Sequence, residues 1–279
     1  MKDFSTHLDR VFRGDQLFLI AGPCAVESPA VCRRVAAELL EICGRASVQL
    51  IFKASYTKAN RLSGDSYHGL GAEEGLRILQ TIKEEFSIPV LTDVHETAEI
   101  SAAAEVADVL QIPAFLCRQT ELVRQAAATG RWVNIKKGQF LAPEDMSPLV
   151  EKAKSNRVLV TERGSSFGYH NLVVDFRSLL IMRESGAPVV FDATHSLQLP
   201  GSEGVSSGGQ PSFVIPFCRA AVALGVNGLF VETHPEPAKA LSDARSMLPL
   251  SEMSELIDSV IRIHNVKNEL YPTPIKSRV

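Results

Sequence analysis

Short apolar runs alternate with longer segments of helical apolar spacing along most of the chain. After Gln16 we count eight such units, each with a brief hydrophobic run, a loop of polar or small residues, and a segment whose apolar positions recur every three or four residues. Strands that alternate with helices predict parallel pairing through right-handed crossovers. The predicted strands are 17–21, 49–52, 89–92, 109–112, 132–135, 158–161, 188–191 and 228–231.

The number of units selects the architecture. Eight strand and helix units in about 250 residues are the expected size of a closed (β/α)8 TIM barrel. The alternative is a doubly wound open sheet, but the turn after the first strand, residues 21–26, lacks the Gly-x-Gly-x-x-Gly loop of dinucleotide-binding sheets. We therefore expect the barrel. The predicted helices are 29–43, 73–86, 97–107, 120–129, 143–154, 175–184, 212–224 and 251–265.

The chain length allows one large domain or two small ones. No stretch rich in Pro, Gly and Ser divides the chain, so we expect a single domain over residues 1–279 with an N-terminal extension at 1–16. The glycine-rich stretch 199–210 falls between the seventh strand and its helix. That is the position of a mobile active-site loop in an α/β barrel.

Charge and cysteine content narrow the function. A net charge of -3 argues against a general nucleic-acid binder and against a basic membrane-surface protein. The five cysteines are an odd number without a C-x-x-C pair, which disfavours a disulfide scaffold or a zinc knuckle. Residues 1–16 lack the apolar core of a signal peptide, and no apolar run approaches roughly 18 residues. The sequence therefore predicts a cytoplasmic protein with small-molecule ligands.

A basic stretch follows the second strand. Lys53, Lys58 and Arg61 lie there with only polar, small or aromatic residues between them and no carboxylate. Three cations so close together repel one another, and a multiply charged anion such as a phosphorylated metabolite relieves the repulsion. A solvated lysine-rich loop is the alternative. The rest of the chain favours the anion site.

Polar or ionisable residues stand at almost every predicted strand end. In a TIM barrel these positions face one shared site. A basic subset, with an arginine fork and lysine point charges, suits two phosphates and a carboxylate, and comprises Lys53, Lys58, Arg61, Lys136 and Arg163. The full set is Cys24, Lys53, Asp93 with His95, Gln111, Lys136 with Lys137, Glu162 with Arg163, His195, and Glu232 with His234.

A second subset, Cys24, His195, Glu232 and Asp243, has the thiolate, imidazole and carboxylate ligands that suit divalent Zn, Fe(II) or Mn. Each residue has a simpler interpretation. Cys24 is equally compatible with a small buried apolar residue. His195 follows Asp192 closely enough to be a hydrogen-bonded core histidine, and Asp243 to be a helix cap.

Short motifs follow one another in order along most of the chain. They are Gly22-Pro-Cys24 with Glu27-Ser28, Phe52-Lys-Ala-Ser with Lys58-Ala-Asn-Arg61, Thr92-Asp-Val-His95, Gln111-Ile-Pro-Ala-Phe, Val133-Asn-Ile-Lys-Lys137, Glu162-Arg-Gly with Phe167-Gly-Tyr, Phe191-Asp-Ala-Thr-His195, and Glu232-Thr-His-Pro-Glu-Pro with Ala240-Leu-Ser-Asp243. No single motif is specific, but their order and density are. Taken together, these motifs resemble the 3-deoxy-D-manno-octulosonate 8-phosphate synthases from about Leu17 to Leu250.

The resemblance implies condensation of phosphoenolpyruvate with D-arabinose 5-phosphate, with release of phosphate, in lipopolysaccharide synthesis. It implies a cytoplasmic homotetramer. Because Cys24 stands where the metal-dependent members have cysteine and the metal-independent members asparagine, it also implies the metal-dependent class with ligands Cys24, His195, Glu232 and Asp243. The implied phosphoenolpyruvate-binding residues are Lys53, Lys58, Gln111, Lys136 (or Lys137 if the strand alternation is misread) and Arg163. The implied sugar-phosphate-binding residues are Asn60, Arg61 and Ser63, together with Arg118 from a neighbouring subunit. The implied catalytic residues are His195, Asp93, His95 and Lys58.

Two departures from the family pattern concern the sugar acceptor. Leu62 replaces a serine and His68 an arginine, so that Ser63 or a protonated His68 has to compensate. The alternatives are a 3-deoxy-D-arabino-heptulosonate 7-phosphate synthase that uses erythrose 4-phosphate, a class II aldolase, and a non-catalytic phosphosugar sensor. The run Lys58-Ala-Asn-Arg61 disfavours the first alternative, and the complete metal quartet disfavours the sensor.

Overall fold

The computed structural model describes residues 2–58, 68–203 and 206–271. Its centre is a closed parallel barrel, in which the eighth strand pairs with the first through the register from Phe18 opposite Gly228 to Gly22 opposite Glu232. The predicted (β/α)8 barrel is therefore confirmed. The barrel strands are β1 (Phe18–Gly22), β2 (Gln49–Lys53), β3 (Val90–Asp93), β4 (Val109–Ile112), β5 (Trp132–Lys136), β6 (Val158–Glu162), β7 (Val189–Asp192) and β8 (Gly228–His234).

Helices surround the barrel. The second helix shows why one begins where it does: Pro29 occupies its first turn and the Ser28 side chain accepts a hydrogen bond from the Val31 N–H at 3.2 Å. Several of the others begin or end as a 3-10 turn. The helices of the described residues are α1 (Ser5–Arg13), α2 (Pro29–Arg45), α3 (Ala72–Phe86), α4 (Ile100–Val106), α5 (Thr120–Ala128), α6 (Met146–Ala153), α7 (Arg177–Met182), α8 (Val214–Ala223) and α9 (Met253–Leu270).

Helix α1 was not expected from the sequence, which assigned residues 1–16 only to an extension. It closes the amino-terminal end of the barrel, because Leu8, Val11 and Phe12 join the apolar residues of the barrel interior. The Phe12 ring lies 4.7 Å from the Phe18 ring and 4.8 Å from the Trp132 ring, both in edge-to-face geometry. The interior at the amino-terminal end of the barrel is therefore packed with apolar side chains.

The glycine-rich stretch 199–210, expected from the sequence to be a mobile active-site loop, follows β7. Its described residues form an antiparallel hairpin from the strands Gln198–Glu203 and Ser206–Gly209. Gln198 pairs with Gly209 at the base of this hairpin. A second short pairing joins Ser165–Ser166 to Leu172–Val173 after β6. Both hairpins follow carboxyl ends of barrel strands, so they flank the end where the site lies.

One glycine helps to position the residues at the open end of the barrel. A Cβ atom on Gly22 would lie 2.0 Å from the Lys53 carbonyl oxygen, so only glycine allows the first strand to pass this close to the second. The turn beyond Gly22 then carries Cys24 over the open end of the barrel.

None of the helices in the described part of the chain combines the length and apolarity needed to cross a lipid bilayer.

Candidate functional site: a metal-type cluster in a ring of cations

A thiol and two carboxylates meet at the carboxyl end of the barrel. Cys24 Sγ and one oxygen from each of Glu232 and Asp243 all lie within 4.8 Å of one another. Cys24 Sγ donates to Asp243 Oδ2 at 2.9 Å. Asp243 has a φ of +48°, in the left-handed region that aspartate tolerates better than most residues. The loop after β8 thus presents the Asp243 carboxylate to the turn after β1.

His195 faces the same cluster through one ring nitrogen. Its Nε2 lies 3.6 Å from Glu232 Oε2, and its Nδ1 lies 2.8 Å from Asp192 Oδ2. Because a carboxylate can only accept, Nδ1 donates its proton to Asp192 in this contact, and Nε2 is the ring nitrogen that faces Glu232. The two sequence interpretations of His195, a hydrogen-bonded histidine and a metal ligand, are therefore compatible.

These four side chains fit a divalent metal ion by their chemistry. Glu232 is fully buried, and its Oε2 receives no hydrogen bond from the residues that the structure describes. A buried carboxylate oxygen without a hydrogen bond requires an explanation, since such atoms are normally satisfied. Sulfur, imidazole nitrogen and carboxylate oxygen together are a donor set for Zn, Fe(II) or Mn. A bound cation would satisfy the Glu232 oxygen.

The charges around the cluster are strongly coupled. Lys53, only 1% exposed, donates to Glu232 Oε1 at 2.5 Å and to the Cys24 carbonyl oxygen at 2.9 Å. Burial alone would raise the pKa of Glu232, but Lys53 and His195 outweigh it and hold this pKa below its ordinary value. Burial and the Asp243 carboxylate raise the pKa of Cys24 above its ordinary value. The site thus holds an ionised Glu232 beside a neutral thiol.

Lys136 and Lys137 point to different parts of the molecule. The Lys136 ammonium donates to Asp192 Oδ2 at 2.7 Å and lies 3.7 Å from the centre of the Phe230 ring, inside the barrel mouth. The Lys137 ammonium lies 3.7 Å from Glu162 Oε2 and contacts the carbonyl oxygens of Gly138, Leu141 and Gly164 at 3.4 Å. Of the two lysines, Lys136 is therefore the one whose ammonium lies inside the barrel mouth.

A ladder of side-chain hydrogen bonds crosses the floor of the site. Ser55 and Gln111 both donate to the Asp93 carboxylate, Asn134 donates to Gln111 Oε1 at 2.9 Å, and Thr161 donates to Asn134 Oδ1 at 2.6 Å. These residues come from four neighbouring strands and the turn after β2. The ladder fixes the amide of Gln111 and leaves little freedom to Asp93.

Cations also control the ionisation of Asp93. Burial would raise its pKa, but Lys53, Lys58, His95 and Lys136 together hold it well below the ordinary value. The same surroundings act on Lys58: burial would lower its pKa, but the carboxylates of Glu232, Asp93 and Asp243 raise it above its ordinary value. Asp93 is therefore ionised and Lys58 charged at neutral pH.

Comparisons with known proteins show the family of this chain. Residues 7–265 match the model of the DAHP synthetase I family. The chain belongs to the DAHP synthetase I family. It is 56% identical over 259 residues to a protein of Acidithiobacillus ferrooxidans, covering 91% of this chain and 92% of the relative, and 55% identical over 267 residues to one of Xanthomonas axonopodis pv. citri, covering 95% of each. Both relatives are named 2-dehydro-3-deoxyphosphooctonate aldolase.

A third relative, from Xanthomonas oryzae pv. oryzae, bears the same name and is 56% identical over 253 residues, covering 90% of this chain and 92% of its own length. That name denotes the 3-deoxy-D-manno-octulosonate 8-phosphate synthases. The family resemblance inferred from the sequence motifs is therefore confirmed.

The structure brings most of the residues predicted from the sequence to one place in this member of the DAHP synthetase I family. Arg163, 5% exposed, joins them and donates through Nη2 to Gln198 Oε1 at 3.1 Å. The residues at or beside the cluster are Cys24, Lys53, Lys58, Asp93, His95, Gln111, Lys136, Arg163, His195, Glu232 and Asp243.

Other predicted residues lie elsewhere or outside the description. Glu162 accepts from the Gly164 N–H at 2.6 Å and faces Lys137, while His234 Nε2 lies 3.5 Å from Glu27 Oε2. Arg118 is exposed and not part of the cluster of its own chain. His68 is exposed, with Nδ1 3.2 Å from the Lys58 carbonyl oxygen. The predicted acceptor residues Asn60, Arg61 and Ser63, together with Leu62, lie outside the described residues.

The sequence analysis did not assign a role to several contributors, among them Asp192, Asn134 and Gln198. Asp192, noted only as a neighbour of His195, accepts hydrogen bonds from both Lys136 and His195. Its signal was available, since it directly follows the predicted seventh strand, which ends one residue later than expected. Asn134 and Gln198 carried no such signal. Neither ionises, and Gln198 meets its partners only because of how the hairpin folds back.

Proposed function

We propose that this chain condenses phosphoenolpyruvate with D-arabinose 5-phosphate and water to give 3-deoxy-D-manno-octulosonate 8-phosphate and inorganic phosphate, for lipopolysaccharide synthesis. The observation that carries the proposal is the position of the buried cations around the thiol and carboxylate cluster at the barrel mouth. The names of relatives that are 54–56% identical over most of the chain support the same reaction. The proposed enzyme is a transferase that forms a carbon-carbon bond.

Phosphoenolpyruvate carries a phosphate and a carboxylate, and the barrel mouth offers matching groups. Lys53 and Lys136 are nearly fully buried and Arg163 adds a planar guanidinium. Burial lowers the pKa of Lys136, with Lys53 acting in the same direction and Asp192 against it. An anionic ligand would stabilise the charged ammonium. Together with Lys58 and Gln111, these residues form the proposed phosphoenolpyruvate site.

In the proposed reaction, carbon three of the enol attacks the aldehyde carbon of the sugar. The aldehyde oxygen gains negative charge while carbon two becomes cationic, after which water adds at carbon two and phosphate leaves. The cations hold and orient the two anionic substrates, which is where most of the rate gain of such a site arises. Asp93, ionised and held by Ser55 and Gln111, and His95 beside it are the proposed proton carriers at carbon two.

We also propose a resident divalent metal ion held by Cys24, His195, Glu232 and Asp243. The Glu232 oxygen that receives no hydrogen bond from the described residues and the His195 Nε2 that faces it support this proposal. When bound, the ion would supply Lewis-acid polarisation of the aldehyde oxygen. Asp192 keeps His195 in the tautomer that ligation needs.

The proposed assembly is a cytoplasmic homotetramer in which Arg118 reaches the sugar phosphate of a neighbouring subunit. Arg118 is exposed and follows the turn that carries Phe115, whose side chain is 54% exposed. Phe140, on the loop after the next strand, is 56% exposed. Large apolar side chains exposed beside a cation are typical of an interface between subunits.

The decisive experiment measures phosphate release from phosphoenolpyruvate with arabinose 5-phosphate or erythrose 4-phosphate, before and after chelation and after metal is restored. We expect release with arabinose 5-phosphate that chelation abolishes and metal restores. A preference for erythrose 4-phosphate would instead assign the heptulosonate reaction. Full activity in chelator would overturn the metal proposal and leave the condensation intact.

A further inference from the structure

The side-chain amide of Gln198 lies between a substrate-type cation and a metal-type ligand. Its Oε1 accepts from Arg163 Nη2 at 3.1 Å, and its Nε2 donates to Asp243 Oδ1 at 3.3 Å. The other oxygen of Asp243 accepts from Cys24 Sγ at 2.9 Å. A continuous path of hydrogen bonds therefore joins Arg163 to the thiol of Cys24 through one neutral side chain.

An amide is well suited to this position. It offers an acceptor at one end and donors at the other, so it satisfies a guanidinium and a carboxylate at the same time without adding charge. A hydrocarbon side chain of equal length would leave both partners short of a hydrogen bond, and an unpaired buried group is costly. Arg163 is only 5% exposed, so water cannot readily replace the amide there.

The backbone holds Gln198 in place from both sides. The 3-10 turn His195–Leu197 ends immediately before it, and the Gln198 N–H donates back to the His195 carbonyl oxygen. On the hairpin side Gln198 pairs with Gly209, and the Gln210 N–H donates to the Leu197 carbonyl oxygen at 3.1 Å. The amide is therefore tied to a proposed metal ligand on one side and to the hairpin base on the other.

We propose that Gln198 is a positioning residue that orients Arg163 for the substrate anion and Asp243 for the metal ion. The inference rests on the proposed function for the identity of that anion. Gln198 would touch neither the reacting atoms nor the metal. Because Gln198 lies at the base of the hairpin, a shift of that base would move the Arg163 guanidinium and the Asp243 carboxylate together. Loss of an outer-shell partner of a metal ligand typically lowers metal affinity about 10–100-fold.

The test compares Gln198→Met, which keeps the length and removes both hydrogen bonds, with Gln198→Asn, which keeps the amide but is too short to bridge. Gln125→Met, on the exposed face of α5, is the matched control. The metal-free proteins are titrated with Co²⁺, and the thiolate-to-cobalt charge-transfer band reports ligation by Cys24. Circular dichroism and the melting temperature establish that each variant is folded.

We expect Co²⁺ affinity to fall about 10-fold or more in Gln198→Met. With saturating metal, its KM for phosphoenolpyruvate should rise several-fold while kcat changes less. Gln198→Asn should show the same loss of Co²⁺ affinity and the same rise in KM. The control variant Gln125→Met should show neither change. Co²⁺ affinity within twofold of wild type in both Gln198 variants would overturn the inference. If the wild-type protein releases no phosphate from phosphoenolpyruvate, the proposed function fails, but the Co²⁺ titration still decides the role of Gln198.

Discussion

Cys24 Sγ lies 2.9 Å from Asp243 Oδ2, although the two residues are 219 positions apart in the chain. They meet because β8 pairs with β1 and closes the barrel, which places Gly22 opposite Glu232. The metal-type cluster therefore exists only in the closed barrel. Neither half of the chain contains it.

The first prediction concerns this thiol. Cys24→Ala removes the sulfur ligand, so we expect loss of the thiolate-to-cobalt band and a fall in kcat/KM greater than about 100-fold, more than the loss of an outer-shell partner causes. Cys32→Ala is the control, because Cys32 is equally buried but packs within α2. Retention of both the band and the activity by Cys24→Ala would remove Cys24 from the metal site.

The second prediction separates two adjacent lysines. Lys136→Met removes a cation from the barrel mouth, so kcat/KM for phosphoenolpyruvate should fall about 100-fold or more while the fold persists. Lys137→Met leaves Glu162 buried without its cation, and we expect it to lower the free energy of unfolding by about 3 kcal/mol with a smaller effect on activity. Steady-state kinetics and urea unfolding of both variants measure the contrast. The reverse pattern would exchange the two roles.

The third prediction tests a shared site. If Arg118 serves a neighbouring subunit, Arg118→Ala and Lys136→Met are each nearly inactive alone, but mixed oligomers contain some sites that lack neither residue. We expect co-refolded mixtures to recover at most about one-quarter of the wild-type activity, at equal mixing, and less at any other ratio, because an intact site needs one subunit of each variant side by side. In the control mixture Arg124→Ala, an exposed arginine of α5, replaces Arg118→Ala, and the activity should simply follow the fraction of Arg124→Ala subunits. No recovery from an oligomeric mixture would place Arg118 outside the neighbouring site.

Much of the barrel was predictable because each strand and helix pair carries its own hydrophobic period. The eight strands were found within three residues at either end, the largest difference being at β8, which continues to His234. Helix α1 was missed although Leu8, Val11 and Phe12 have helical spacing. Its short apolar face lies among charged residues in the sequence. The helix is stabilised by packing against barrel-interior residues such as Trp132 and Phe230, which come much later in the chain.

The site was predictable where chemistry is carried by ionisable residues at strand ends. Sequence alone did not decide between Lys136 and Lys137. Alternation along a strand shows that adjacent side chains point to opposite faces, but it does not show which face is turned into the barrel. The amide of Gln198 could not be found, since its two partners come from other loops and its own residue type is common on surfaces. Hydrogen-bonding partners of this kind depend on tertiary structure.

The last prediction concerns the opposite end of the barrel. Asp9 of α1 accepts from Arg157 Nη2 at 2.7 Å, from Arg157 Nε at 3.0 Å and from Trp132 Nε1 at 3.0 Å. The hydrogen bond from Arg157 is the largest influence on Asp9 and holds its pKa below the ordinary value. Since the side chains of both partners are less than one-third exposed, we expect Asp9→Asn to lower the free energy of unfolding by about 1–2 kcal/mol at pH 7.

The pH dependence follows from the sign of the shift. The pKa of Asp9 is lower in the folded protein than the value of about 3.9 in the unfolded chain, so its ionised form stabilises the fold above that pH. This stabilisation is lost as the pH falls through the folded pKa, and the difference between wild type and Asp9→Asn should then disappear. Urea midpoints from pH 7 down to about pH 3 measure it, with Asp258→Asn on the exposed face of α9 as the control. A difference that persists unchanged at the lowest pH would mean that Asp9 stabilises α1 by packing rather than by charge.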